Sequence, residues 1–131
     1  GGRGSRIVVI SRDTSSGTFE AFEELALSKD KVRPDAMTTA SNQATAQIVA
    51  QTPGAIGYIG FGYVSPKVKA VEVDGVPCTR ANILKGAYTL SRPLFMYTNG
   101  SPSGSVKKFI DFVLSPEGQK LVGEEGFVGL K

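Results

Sequence analysis

The apolar run Ile7-Val8-Val9-Ile10 passes within a few residues into Ser11-Arg12-Asp13-Thr14-Ser15-Ser16-Gly17-Thr18, and then into Phe19-Glu20-Ala21-Phe22. Arg6 to Ser11, rich in Ile and Val, reads as a short buried strand. Phe19, Phe22 and Ala26 recur at i, i+3 and i+7, with Glu20, Glu23 and Glu24 mostly on the solvated side, which predicts a helix over 17–28. The acidic residues also suit the positive start of that helix. A strand feeding directly into a helix points to α/β construction, and the rest of the chain repeats the alternation.

Residues 29–34 read as a polar loop and 36–40 as a short strand. Ser41 is placed to cap a helix over 42–51, with Ala44 and Ile48 inward, and Thr52-Pro53-Gly54 breaks it. Ala55 to Tyr63 reads as a buried strand whose glycines imply close backbone approach or a bulge. Val68 to Val73 alternates apolar and polar residues ahead of a hairpin-type Asp74-Gly75 turn. A short helix is expected over 79–85, and an edge or crossing strand over 90–98, interrupted by Pro93. Val106, Phe109, Ile110, Val113 and Leu114 mark the clearest helix. Ser115-Pro116 starts another, running to about Glu125 and ending at Gly126.

The segment from Ser11 to Thr18 crowds an arginine, a carboxylate, several hydroxyls and a glycine where a strand ends and a helix begins. A helix N-terminus carries unpaired N–H groups and a partial positive charge, and so attracts anions. Gly17 lets backbone approach a ligand, and the Arg12 fork suits a tetrahedral oxyanion. These residues look like half of a phosphate site. Taken alone, Ser16 or Gly17 is more simply a helix cap and Asp13-Thr14-Ser15 a turn.

Composition excludes more than it selects. The chain has 131 residues, enough for one domain or a piece of a larger protein, and its 40% hydrophobic and 21% charged content suits a soluble globular chain. The net charge of +3, with no basic run or interleaved aromatics, does not argue for nucleic acid. There is no histidine, which removes His metal ligands, Ser-His-Asp triads and His general bases together. Cys78 is the single cysteine, so no internal disulfide or Cys-based metal site can form; it reads as a small hydrophobe. No apolar stretch approaches the roughly 20 residues of a membrane span. No signal peptide is recognised, and Gly1-Gly2-Arg3-Gly4-Ser5 reads as a natural loop or a cloning scar. Tyr58, Phe61, Tyr63 and Tyr97 read as core or interface aromatics. The cluster Gly54, Gly57, Gly60 and Gly62 suits tight packing better than a phosphate nest, since no P-loop lysine accompanies it. Arg92, ahead of Pro93 on the expected edge strand, reads as solvated or ion-paired rather than as a cleft residue.

Four motifs, in order along the chain, resemble one family. They are Arg12-Asp13-x-x-Ser16-Gly17-Thr18, Thr52-Pro53-Gly54-Ala55-Ile56-Gly57-Tyr58, Ser91-Arg92-Pro93-Leu94, and Leu114-Ser115-Pro116-Glu117-Gly118-Gln119 with Glu125-Gly126-Phe127-Val128. Together they resemble the phosphate-binding proteins of the high-affinity phosphate ABC transporter. The resemblance implies an α/β lobe of the periplasmic-binding-protein kind (class II), incomplete against the two-lobed family fold. Residues 1–92 would form the larger part of the second lobe. Residues 93–131 would cross back and complete the first with a strand and C-terminal helices. The N-terminal portion of the family's first lobe, with its own ligands, has no counterpart in these residues.

The resemblance further implies that Arg12 pairs with phosphate oxygens, while Ser16, Gly17 and Thr18 donate from backbone N–H groups and hydroxyls. Asp13 would hold the arginine or accept the proton of hydrogen phosphate, which would favour protonated phosphate over fully ionised sulfate. Some relatives space this carboxylate two residues after the arginine, where this chain has Thr14; others place it adjacent. No catalysis, cofactor or metal is implied. The implied partners are inorganic phosphate, the remainder of the first lobe and an ABC permease, in a periplasmic or extracytoplasmic setting. The apolar face after residue 104, which packs on the first lobe in the family, must otherwise fold back on residues 6–98 or pair with a second copy. A homodimer with exchanged C-terminal segments is therefore expected. Two other classes stand against the binding reading: a self-associating fragment without ligand, and a phosphoryl-transfer enzyme using Ser15 or Ser16, which lacks an activating base.

Overall fold

A computed structural model describes Gly4 and residues 6–130; the rest of the opening loop read from the sequence lies outside the described residues. The centre of the fold is β1 (Val8–Arg12), flanked in parallel by β2 (Met37–Thr39) on one side and β3 (Ala55–Gly57) on the other. Ile10 pairs with Met37 and with Gly57. Helix α1 (Gly17–Leu25) connects β1 to β2, and α2 (Asn42–Gln51) carries the chain back across β1 to β3. In this 2-1-3 strand order, ligands of open α/β sheets sit beyond the carboxyl ends of the strands at the point where the winding reverses. Arg12 is the last residue of β1.

Side chains alternate along β1, so Ile10 and Ser11 face opposite sides of the sheet. Ile10 is fully buried. A Cβ added to Gly57 would lie 2.9 Å from Thr45 Cγ2 and 3.3 Å from Ile10 Cβ, so strand and helix meet there only because position 57 has no side chain. The buried Thr45 Oγ1 lies 2.6 Å from Thr39 Oγ1 and donates to the Ser41 carbonyl, fastening α2 to the end of β2. The Gly62 N–H donates to the Gly126 carbonyl, and a side chain at 62 would strike Gly126, so backbone packs on backbone as the glycine pattern implied.

Helix α1 is shorter than the apolar spacing predicts, because Ser28 and Lys29 both adopt positive φ and turn the chain out of the helix. The expected strand over 55–63 is three residues long; beyond it Phe61–Tyr63 form a single 3₁₀ turn. The alternating segment 68–73 is not a strand either. Only Val73 and Val76 pair, across Asp74-Gly75, whose two positive φ angles form the expected turn. The short helix appears as α3 (Arg80–Leu84), capped by Thr79. Residues 90–98 form no strand: an extended segment needs a neighbouring ladder, and these residues pair with neither edge of β2-β1-β3. Leu94, Phe95, Met96 and Tyr97 are accordingly exposed, Tyr97 at 89%.

The C-terminal pattern is realised as α4 (Gly104–Leu114) and α5 (Pro116–Glu124), with Ser115 accepting from the Gly118 N–H and Gly126 at φ +86° after the last turn. These two helices pack on each other. The apolar face of α4 does not fold back on residues 6–98. Val106, Phe109, Phe112 and Leu114 remain exposed, because the sheet core is closed by α1 and α2 instead.

Ile10 fills the point where three strands and α2 converge. Ile10→Ala should destabilise the fold by about 2–5 kcal/mol, read as a lower urea midpoint with the slope of the transition unchanged.

Candidate functional site

The strand β1 ends by handing its last backbone groups to its neighbours. The Asp13 N–H donates to the Thr39 carbonyl at 3.1 Å, and the Arg12 N–H to the Tyr58 hydroxyl at 3.1 Å. That hydroxyl also lies 2.8 Å from Ser11 Oγ, and the Tyr58 ring stacks on Phe22 of α1 with centroids 4.1 Å apart. Tyr58 thus ties the end of β1 to α1, although its residue type alone suggested a core aromatic.

The loop then turns on itself. The Ser16 N–H donates to the Asp13 carbonyl, and Asp13 Oδ1 accepts from both the N–H and the hydroxyl of Ser15. Ser16 is the N-cap of α1, its Oγ accepting from the Thr18 and Phe19 N–H groups at 3.2 and 3.3 Å. The cap leaves the Gly17 N–H without a partner among the described residues. The Ser16 and Thr18 backbone donors are therefore engaged within the loop. The Gly17 N–H and the hydroxyl protons of Ser16 and Thr18 have no acceptor among the described residues.

The Arg12 side chain is only 9% exposed. Its Nη1 donates to Asn42 Oδ1 at 2.9 Å, and its Nη2 to the Ala40 carbonyl at 3.4 Å. Asn42 is the first residue of α2, and its Oδ1 also accepts from the Gly60 N–H. The nearest carboxylate oxygen, Asp13 Oδ2, stands 3.7 Å from Nη2, beyond hydrogen-bonding distance. Arg12 Nε is buried without a partner. The cation is hydrogen-bonded to neutral oxygens and ion-paired with Asp13 at 3.7 Å. A cleft of about 230 Å³ opens beside it, lined by Asp13, Thr14, Glu23, Lys31 and Arg33 among others.

Asp13 is held below the ordinary carboxylate range, first by the Ser15 hydroxyl and with a smaller contribution from the Arg12 charge. It is ionised at neutral pH. The sequence-derived candidates Arg12, Asp13, Ser16, Gly17 and Thr18 all lie on this one loop. Three neighbours join it that the sequence did not assign to the site: Asn42, Tyr58 and Arg92. Arg92 is exposed, as expected of a solvated side chain, and its Nη2 donates to the Gly17 carbonyl at 2.8 Å. Adjacency to Ser41 marked Asn42 in advance, and the Thr52–Tyr58 motif marked Tyr58. Among the described residues no group of acidic, His or Cys side chains is arranged to hold a metal.

Comparison with known proteins finds a family model for the PBP superfamily domain matching residues 1–117. The chain is 36% identical over 131 residues to the phosphate-binding protein PstS of Bacillus subtilis, covering 98% of this chain and 43% of that protein. It is 34% identical over 143 residues to PstS of Borreliella burgdorferi, covering 51% of it. A phosphate-binding protein of a phosphate ABC transporter from Streptococcus pneumoniae superimposes with a TM-score of 0.86 at 33% identity, over 97% of this chain and 52% of that one. A Clostridium perfringens protein described as a phosphate ABC transporter substrate-binding protein with bound phosphate gives 0.76 at 39% identity, over 97% and 53%. The likeness expected from the four motifs is what these comparisons find. The chain spans about half the length of the curated relatives it matches.

Because its folded pKa is depressed, Asp13 contributes stability above its unfolded-state pKa and loses that contribution as pH falls through the lower folded value. Ser15→Ala should move the Asp13 titration, followed by carboxyl carbon NMR, up towards the ordinary range; an unmoved titration would show that Ser15 does not set it.

Proposed function

Since this chain belongs to the PBP superfamily, whose domain model matches residues 1–117, we propose that it is the phosphate-binding part of the solute receptor of a phosphate ABC transporter. The observation that carries this reading is the buried Arg12 guanidinium, whose Nε has no partner, at the end of the strand that turns into the N-terminus of α1. A dianion placed there meets a planar cationic fork, the Gly17 N–H and two hydroxyl donors, on the positive end of a helix dipole. The neighbouring relatives named for phosphate binding support the identity of the anion.

Asp13, ionised beside the anion, repels any ligand that has no proton to offer it. Hydrogen phosphate offers one and sulfate at neutral pH does not, so the carboxylate selects by what it rejects. The role is binding rather than catalysis. Ser15 Oγ is committed to Asp13, and Ser16 Oγ to the helix cap.

In the receptor so proposed, residues 1–92 belong largely to one lobe and 93–131 to the completion of the other. The second side of the clamp comes from residues outside this chain, and a permease takes the delivered phosphate on the extracytoplasmic side of the membrane. No helix among the described residues is long and apolar enough to cross a membrane. A one-sided site leaves the anion partly hydrated, so this chain by itself binds phosphate weakly. The open apolar face of α4 supports a second reading for the chain standing alone, a homodimer with exchanged C-terminal segments.

Arg12→Ala should abolish calorimetric binding of inorganic phosphate, and Arg12→Lys should not restore it, because a point charge cannot replace the fork. Unchanged affinity in Arg12→Ala would sink the loop as the binding site. Light scattering at micromolar concentration should give twice the mass of the chain; a monomer would remove the dimer reading.

A further inference from the structure

Arg92 lies in the segment 89–98, which joins no sheet, yet its guanidinium reaches 75 residues back along the chain to the first residue of α1. Nη2 donates to the Gly17 carbonyl at 2.8 Å. A Cβ on Gly17 would stand 2.7 Å from the same nitrogen, so the glycine leaves the space that the guanidinium occupies. Two covalent bonds of about 1.5 Å separate that Cβ position from the unpartnered Gly17 N–H. The Arg92 charge therefore stands on the residue that carries the unpartnered N–H of the cap.

This placement runs against the helix dipole. A cation at a helix N-terminus is unfavourable unless something negative stands with it. Arg92 has no acidic partner among the described residues; its recorded polar contact is the Gly17 carbonyl. Arg12, the last residue of β1, is ion-paired with Asp13 at 3.7 Å and hydrogen-bonded to no carboxylate. Two arginines with no hydrogen-bonded carboxylate thus serve one strand-to-helix turn, Arg12 at its strand end and Arg92 on the first residue of α1.

We infer that Arg92 is a positioning residue of the anion site, clamping the first carbonyl of α1 and adding a second positive charge beside the Gly17 N–H. Anion binding is thereby tied to the order of the 89–98 segment, which leads into α4 and α5. The inference rests on the phosphate reading of the loop and adds to it a residue outside that loop.

The test is calorimetric titration of the 131-residue chain with inorganic phosphate at low and physiological salt. The proteins are the unsubstituted chain, Arg12→Ala, Arg92→Ala, Arg92→Lys and Gly17→Ala, the last also combined with Arg92→Ala. Arg92→Ala should weaken binding about five- to tenfold and flatten its salt dependence. Arg92→Lys should recover the salt dependence and part of the affinity, since charge is kept and the fork lost. Gly17→Ala displaces the guanidinium, so adding Arg92→Ala to it should cost less than Arg92→Ala does alone. A chain that binds no phosphate, or binds it despite Arg12→Ala, overturns the phosphate reading of the loop. Binding that Arg12→Ala abolishes, but that Arg92→Ala leaves at full affinity and salt dependence, overturns the role of Arg92 alone. Additive losses for Gly17→Ala and Arg92→Ala also overturn it.

Discussion

The site depends on one buried charge. Arg12 keeps nine-tenths of its side chain out of water, and desolvating a guanidinium is costly unless its donors are met. Asn42 Oδ1 and the Ala40 carbonyl meet two of the nitrogens; Nε is met by nothing among the described residues. Both acceptors come from the junction between β2 and α2, so the arginine is in place only when β2 has paired with β1. The most polar element of the site is thus coupled to the formation of the sheet.

The same strand end organises the rest of the loop. Tyr58, just past β3, takes the Arg12 N–H and contacts Ser11 Oγ while its ring lies flat on Phe22. The three strand termini and the first turns of both helices therefore meet within one hydrogen-bonded cluster. Asp13 belongs to it as a charge held by its own turn, tied to Ser15 more closely than to Arg12. Arg12 is correspondingly ion-paired with Asp13 at 3.7 Å rather than hydrogen-bonded to it.

The C-terminal third is built differently. Helices α4 and α5 satisfy each other, and the chain after them is fastened by backbone contacts from Gly126 to Gly62 and by the Arg80 side chain on the Gly129 carbonyl. The apolar face of α4 and the residues 94–97 lie uncovered. Apolar periodicity predicts that a helix forms and which of its faces seeks cover, but it carries no information on what supplies the cover. The chain matches only about half the length of its relatives.

What local pattern determines here is element type and the chemistry of one loop. Ser16, Ser41, Thr79 and Ser115 announce their helices because capping is decided within a few residues, and Arg12 to Thr18 are contiguous, so their shared location needed no fold to reveal it. Strand length was not legible in the same way. The segments over 58–63, 68–73 and 90–98 have strand-like composition, yet a strand exists only where another backbone answers its donors, and that partner is a property of the whole sheet. The supporting side chains were hidden for the same reason. Asn42, Tyr58 and Arg92 lie 30, 46 and 75 residues from the loop atoms they bond, and only the parallel crossovers and the return of the 89–98 segment bring them there. The sequence alone determined that an arginine and a helix start stand together; the tertiary structure decided that the arginine would be buried, because its acceptors Asn42 and Ala40 come from the distant β2–α2 junction.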